Sequence, residues 1–416
     1  MGVQLVNMKN IVSKFQNFQD SNNVVKLATG IFYAVVVIET LIVLIDKSAL
    51  INPFEGRLFQ ITFALCAIKV LLTRYDLKEY MVLFALCVFG LLVDAYGNRN
   101  EVLRFVMFVA ACKNIDIKKS LKLLLWVQII GCTVIALLSL TGIYGPLTVT
   151  KEYENRGFFT RYCFGMGNAN SFHAMFFVSV LLTLYLYYEK CKWWVYVLLF
   201  AVNIGFFLLT DSKTSVLMTG TAVICFWVLK IIERKQIIPK VARWISAVSL
   251  TIYAVLIGLS VIVAIGAKDY CRYFWDAKWE DPPNPPRLLI FLDRLLTGRV
   301  LSLTEYDMEG SYESWSVMTT PNHNVNFDLG YIRVFYWYGI IPAIVIFILI
   351  LALYIALIKN KRYSELIFLT MIAIYTFPEA HFVSVYIGRS YVLFILGMVF
   401  WSFGRNSKWE IDSTSS

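Results

Sequence analysis

Apolar runs of about 17 to 25 residues recur along the chain between short polar breaks, the length a helix needs to cross about 30 Å of hydrocarbon. Twelve such stretches are predicted. The clearest are Leu27 to Ile45, Leu121 to Leu140 and Ile245 to Ile265. Others run roughly Leu58 to Thr73, Tyr80 to Ala95, Ser171 to Tyr188, Trp193 to Thr210, Ser215 to Ile232, Tyr331 to Ile358, Leu366 to Phe377 and Tyr386 to Phe403. Val102 to Cys112 is the weakest of the set. The pattern predicts an all-α fold, a polytopic transmembrane bundle of about twelve spans. It divides the chain into an N-terminal segment 1–26, a single transmembrane domain 27–403 and a tail 404–416.

Cationic side chains are retained on the cytoplasmic side of short loops, so Lys and Arg placement sets orientation. With the N-terminus inside, cytoplasmic segments hold Lys9, Lys14 and Lys26; Arg74 and Lys78; Lys113, Lys118, Lys119 and Lys122; Lys190 and Lys192. Later ones hold Lys230 to Arg243, then Lys359, Lys361 and Arg362, then Arg405 and Lys408, which puts both termini in the cytoplasm. The first 26 residues lack the apolar core of a signal peptide, so the first span is expected to be an uncleaved anchor.

Composition agrees. Of 416 residues, 59% are hydrophobic and only 16% charged, with a mean hydropathy of +0.66, a balance that argues against a water-soluble enzyme. The net charge of +10 is mostly the topological bias. The cations are not gathered into one aromatic-laced patch, which argues against a nucleic-acid partner. Eight cysteines are scattered singly with no metal-binding spacing. Cys163 and Cys271 both fall in outward loops, where a disulfide is open to them.

That topology leaves two long extracytoplasmic loops, about 141–170 and 268–329. The first reads KEYENRGFFTRYCFGMGNANSFH, in which Arg156 and Arg161 precede a Gly- and Asn-rich turn that opens a helix. Guanidinium forks bind phosphate oxygens bidentately, and helix N-terminal amides add donors; an arginine beside a bilayer also snorkels to lipid headgroups. The second loop carries Tyr270, Tyr273, Phe274, Trp275 and Trp279, rings that suit sugar faces or a membrane-interface belt, and then Arg287, Arg294 and Arg299. Acid and imidazole groups assigned to the outward face are Asp211, Asp307, His323, Asp328, Glu379 and His381. Asp328 and Glu379 each sit at the outer end of an apolar helix, where an ionisable group marks function or pairs with Arg333 or Arg389. Glu39 lies mid-span and needs a partner or a proton; Lys69 and Asp94 are near enough to span ends to snorkel. No phosphate-binding loop, dinucleotide fingerprint, metalloprotease or EF-hand spacing is present, so a reaction here would be driven by an activated substrate.

Several segments resemble the bacterial O-antigen and capsular polysaccharide polymerases (Wzy type) of the O-antigen polymerase and ligase superfamily. They lie between about Arg156 and Phe403 and are RYCFGMGNAN, LTDSKTSVL, LLTGRV, DLGYIRVFYWYGII and the glutamate of FPEAHF. Ser212-Lys213-Thr214 has lysine where the family more often has arginine, and Asn168-Ala169-Asn170 replaces His-Pro-Asn. The ligase branch places His-Asn about eleven residues before the helix glycine; counted back from Gly339 that position is Asp328, with His323-Asn324 five residues earlier, which favours polymerase.

The resemblance implies a GT-C-like helical fold in the bacterial cytoplasmic membrane and an inverting glycosyltransferase that needs no metal, cofactor or nucleotide sugar. It would transfer a growing glycan from undecaprenyl pyrophosphate onto the non-reducing end of a lipid-linked repeat unit, alongside a flippase and a chain-length regulator. Arg156, Arg161, Lys213, Arg294, Arg299 and Tyr331 are the expected pyrophosphate and glycan contacts; Asp328, Glu379 or His323 would orient or deprotonate the acceptor hydroxyl. The alternatives are a ligase-type glycan transferase and a flippase or transporter. Against transport, the two halves show no repeat.

Overall fold

The computed structural model describes residues 13–153, 157–275, 287–304, 310–321, 323 and 325–402. Fourteen α-helices are delimited among these residues: α1 Asn22–Lys47, α2 Glu55–Leu71, α3 Leu77–Gly97, α4 Glu101–Ala111, α5 Ile117–Leu140, α6 Ala169–Tyr187, α7 Trp193–Thr210, α8 Lys213–Arg234, α9 Ile238–Trp275, α10 Arg287–Leu295, α11 Gly330–Tyr338, α12 Ile340–Lys359, α13 Tyr363–Thr376 and α14 Tyr391–Ser402. Eight of them, α1, α3, α5, α6, α7, α8, α9 and α12, are long and apolar enough to cross a membrane. The chain is a helical, multi-pass membrane protein. Its outward-facing side chains are accordingly apolar: Leu77, Phe84, Leu208 and Leu217 are each more than two-thirds exposed.

Helix α1 packs on α2 and α5, α6 on α8, α7 on α8, and α9 on α13. The core under them is rich in aromatics, with Phe32 against Phe108, Phe177 stacked on Tyr375 and Tyr253 stacked on Tyr354. One end of the bundle carries a β-hairpin, β1 Thr148–Tyr153 paired antiparallel with β2 Gly157–Tyr162. It is tied to the ends of α1 and α5 by Ala49 N–H to Gly165 O, 3.0 Å, Gly167 N–H to Lys47 O, 2.9 Å, and Ser139 Oγ to Gly145 O, 3.3 Å. This is the hairpin end; the ends of α7, α9 and α13 and the starts of α6, α8, α11 and α14 share it.

Three features depart from the pattern of apolar runs. The stretch Tyr331 to Ile358, expected as one span, is two helices broken at Gly339, whose φ of 83° only glycine adopts readily. The segment before α11 lies in that break: Ile340 and Ile341 donate their N–H groups to Ser316 O and Val317 O at 2.9 and 3.0 Å, and a Cβ on Gly339 would stand 2.6 Å from the Met318 carbonyl carbon. Hydropathy does not register this, because both halves are apolar. Second, α9 has 38 residues, about 57 Å at 1.5 Å per residue. It therefore carries Lys268 to Trp275, expected as loop, onward as helix, with Tyr270 and Cys271 buried. Third, the first loop holds strands, and Cys163 and Cys271 are both free thiols, with Cys163 Sγ hydrogen-bonded to Pro146 O.

Mid-span Glu39 does find a partner. Arg104 of α4 reaches it at 3.3 Å, Thr62 donates to the same oxygen at 2.6 Å, and the guanidinium lies 3.7 Å from the Phe59 ring centre. Helix α2 is consequently inside-out: its buried residues are Thr62, Cys66 and Lys69, whereas Ile61, Ile68 and Leu71 face outward.

Candidate functional site

At the hairpin end the turn after α10 presents Arg299. Thr297 and Gly298 adopt positive φ in succession, 57° and 87°, which reverses the chain in a single step. Arg299 Nη1 donates to Leu296 O at 2.8 Å and to Thr297 Oγ1 at 3.0 Å. Nη2 is paired with Glu379, and Nε stands 3.5 Å from Asp328 Oδ2. The arginine and Glu379 side chains are 9% and 15% exposed while Asp328 is 57% exposed, so the triad runs from the interior to the surface. Three of the sequence-expected residues, from three separate segments, are thus brought into one contact.

Burial pushes the Glu379 carboxyl up to about 7; Arg299 opposes that shift and Asp328 adds to it. The group is therefore close to half-protonated near neutrality. His381, two residues on, is driven in the opposite direction. Burial first, then the charges of Arg389 and Lys47, hold its pKa well below the usual histidine range, so it is a neutral imidazole.

Lys47 at the end of α1, Arg333 on α11 and Arg389 before α14 lie within electrostatic range of this cluster and of one another. Arg389 is paired with Asp46 and lies 4.4 Å above the Tyr386 ring, whose hydroxyl is 2.6 Å from Asp46 and 2.9 Å from Glu55. Arg333 is anchored on Phe327 O and packs over Trp337. Three nitrogens here, Arg299 Nε, Arg389 Nε and His381 Nε2, are buried without a hydrogen-bond partner among the described residues. Buried polar groups are normally satisfied, and a cluster that is not keeps donors open to a ligand with acceptor oxygens.

Arg161 organises a neighbouring network. From β2 it donates through Nε to Thr210 O at 2.5 Å and through Nη2 to Asn170 Oδ1 at 2.6 Å, joining the hairpin to the start of α6 and the end of α7. Thr210 Oγ1 is 2.9 Å from His173 Nδ1, whose Nε2 meets Asn203 at 3.0 Å. Through Ser212, Ser215 and the Tyr375 hydroxyl, linked at 3.1 and 3.3 Å, the network reaches the turn that bears Glu379, whose N–H bonds Tyr375 O at 3.1 Å.

The remaining expected residues are placed elsewhere. Lys213 opens α8, and it and Arg294 of α10 have exposed side chains. Tyr331 is buried, with its hydroxyl donating to Ala373 O at 3.0 Å. His323 stacks 4.3 Å from the Tyr336 ring with Nδ1 2.6 Å from Tyr336 O, and its own carbonyl receives Arg99. Arg156 lies outside the described residues. The sequence reading left out Lys47, Arg333 and Arg389 as ligand groups; Lys47 falls at a span end, where it resembles an interfacial anchor. It also left out Asp293, whose Oδ1 accepts the N–H groups of Val300 and Leu301 at 2.8 and 2.9 Å.

Among the described residues, no group of three His, Cys, Asp or Glu side chains is arranged to hold a metal. No family model, curated protein or solved structure matches the chain.

Proposed function

We propose that the chain is a glycan polymerase that transfers a growing saccharide from undecaprenyl pyrophosphate onto a lipid-linked repeat unit at the outer face of the cytoplasmic membrane. In this reading twelve segments cross the bilayer, both termini are cytoplasmic and the hairpin end faces outward. The observation that carries it is the cation-rich cluster with three unsatisfied buried nitrogens beside a carboxyl poised near neutrality. A lipid pyrophosphate has the acceptor oxygens and negative charge those nitrogens lack, and it enters from the bilayer that the apolar helices define.

The chemistry follows. The acceptor hydroxyl oxygen attacks the anomeric carbon from the side opposite the phosphate, with inversion. The carbon–oxygen bond to pyrophosphate breaks, and its electron pair leaves with the undecaprenyl carrier. Arg299, Arg389 and Lys47 stabilise that developing charge, and the hydroxyl proton passes to Glu379. When the pyrophosphate takes Arg299, Glu379 loses its counter-ion and becomes a stronger base as substrate arrives.

Arg299→Ala and Glu379→Gln test the reading, with surface glycan and the lipid-linked pool sized by gel and membrane levels checked by immunoblot. Single repeat units in place of long chains support it. Unchanged chain length in both variants overturns it, as does full-length polymer stranded on its lipid, the signature of a ligase, or repeat units trapped on the cytoplasmic leaflet, that of a flippase.

A further inference from the structure

We infer that Asp293 is a positioning residue that sets Arg299 against Glu379 by clamping the turn between them; the inference deepens the reading of the same site and rests on it for its bearing on catalysis. Asp293 sits in the last turn of α10 and is buried, yet no cation pairs with its carboxylate among the described residues. Among the described residues its side chain accepts from neutral donors. Oδ1 accepts from Val300 N at 2.8 Å and Leu301 N at 2.9 Å, and Oδ2 accepts from the Tyr270 hydroxyl at 3.1 Å. Its own carbonyl accepts from Gly298 N at 2.9 Å.

Residue 293 therefore holds both sides of the reversal at Thr297 and Gly298, and α9 holds residue 293. Arg299 is the residue enclosed between those bonds. A carboxylate that accepts several N–H and O–H groups fixes a loop whose backbone would otherwise sample other conformers. Here the fixed conformer aims one guanidinium edge at Glu379 and Asp328 and leaves Nε without a hydrogen bond. The geometry, rather than the charge, of Asp293 is what the turn uses, since a single oxygen takes both amide protons.

The test separates geometry from charge and from turnover. Asp293→Asn keeps a carbonyl oxygen for both amides; Asp293→Glu keeps the charge but moves it by one methylene; Asp293→Ala keeps neither. Polymer formation and the pH midpoint of Glu379 labelling by dicyclohexylcarbodiimide, which reacts with the protonated carboxyl, are read in membranes from each, beside Arg299→Ala and an unlabelled Glu379→Gln control. Glu379 is faced by Arg299 and Asp328, with Lys47, Arg333 and the Tyr375 hydroxyl in electrostatic range; all remain in the Asp293 variants, so a displaced midpoint reports displacement of Arg299.

Asp293→Ala and Asp293→Glu are expected to lose polymer at least about tenfold and to raise the midpoint by about one pH unit toward that of Arg299→Ala, while Asp293→Asn stays near wild type. Should the alanine variant fail to accumulate, Asp293→Glu carries the comparison. A wild-type midpoint in Asp293→Glu, or a displaced one in Asp293→Asn, overturns the clamp. Normal polymer in Arg299→Ala with these midpoints as expected overturns the functional reading and leaves the clamp standing.

Discussion

The two ends of the bundle treat buried cations differently. At the end opposite the hairpin, Lys113 is paired with Glu79 and enclosed by the rings of Tyr75 and Trp401 at 4.6 and 5.1 Å. Lys69 donates to Lys113 O and Lys230 to Cys191 O. Each of these cations is met by a group of the protein itself. At the hairpin end, Arg299 and Arg389 have acid partners yet keep a buried Nε without a hydrogen bond, and His381 keeps Nε2. The contrast is one of coordination rather than charge. The three lysines hold helices together through groups of the protein itself, whereas Arg299, Arg389 and His381 gather open donors at one place, where a ligand can meet them.

Substitutions that exploit this contrast should fall in a clear order. The largest effect is expected for Glu379→Gln, which keeps shape and hydrogen-bonding capacity but cannot take a proton; polymer formation should fall about 10²- to 10⁴-fold at unchanged membrane level. A glutamine variant of full activity would remove Glu379 from the chemistry. Next, Arg389→Ala should lose about 10²-fold in polymer through loss of anion stabilisation, whereas Arg299→Lys, which keeps the charge but loses the fork that spans Glu379 and Asp328, should lose about tenfold. Chain-length profiles at matched expression separate these. At the opposite end, Lys113→Ala should leave the profile alone and lower stability by about 1 kcal/mol, read as detergent melting. A Lys113 variant with short chains and normal melting would break the comparison.

The pH dependence has two opposite signs. Polymerisation requires the carboxylate, so its rate at limiting substrate should rise with pH through about 7, the value to which burial pushes Glu379. At saturating substrate the midpoint should lie higher, because bound pyrophosphate takes Arg299. Stability runs the other way. The Glu379 pKa is raised on folding from an ordinary 4.5, so its contribution is fully present below that value and is lost as pH rises through about 7. The bundle should melt at a lower temperature at about pH 8 than at about pH 5, and Glu379→Gln should flatten that slope. A steeper slope in the glutamine variant would place the responsible group elsewhere.

Span positions were legible because hydrocarbon thickness imposes a length on apolar runs, and the observed bounds of α1 and α5 bracket Leu27 to Ile45 and Leu121 to Leu140 closely. The break at Gly339 was not, since it comes from one φ angle and a neighbouring segment that fills the gap. Of the candidate site, Arg299, Asp328 and Glu379 were each expected as functional residues, but the pairing expected for the acids was with Arg333 or Arg389, and it is Arg299 that both meet. The cations of the same cluster were less visible. Lys47 ends a helix, Arg333 sits in an apolar helix and Arg389 precedes one, so each reads as an anchor or a counter-ion until the bundle closes around it. Asp293 carried no signal at all, because its partners are backbone amides and a tyrosine hydroxyl 23 residues away in sequence.

The inside-out character of α2 has a consequence for how the protein is made. Glu39 and the arginine that neutralises it are 65 residues apart, with three helices, α2, α3 and α4, starting between them. The carboxyl therefore leaves the ribosome well before its counter-ion, and Thr62 and Lys69 emerge with no bundle to shield them. The first four helices must reach the lipid as one assembly step, with α1 and α2 held at the edge of the insertion channel until α4 delivers Arg104. An arrest of synthesis just ahead of that arginine would leave two helices that the membrane has little reason to accept.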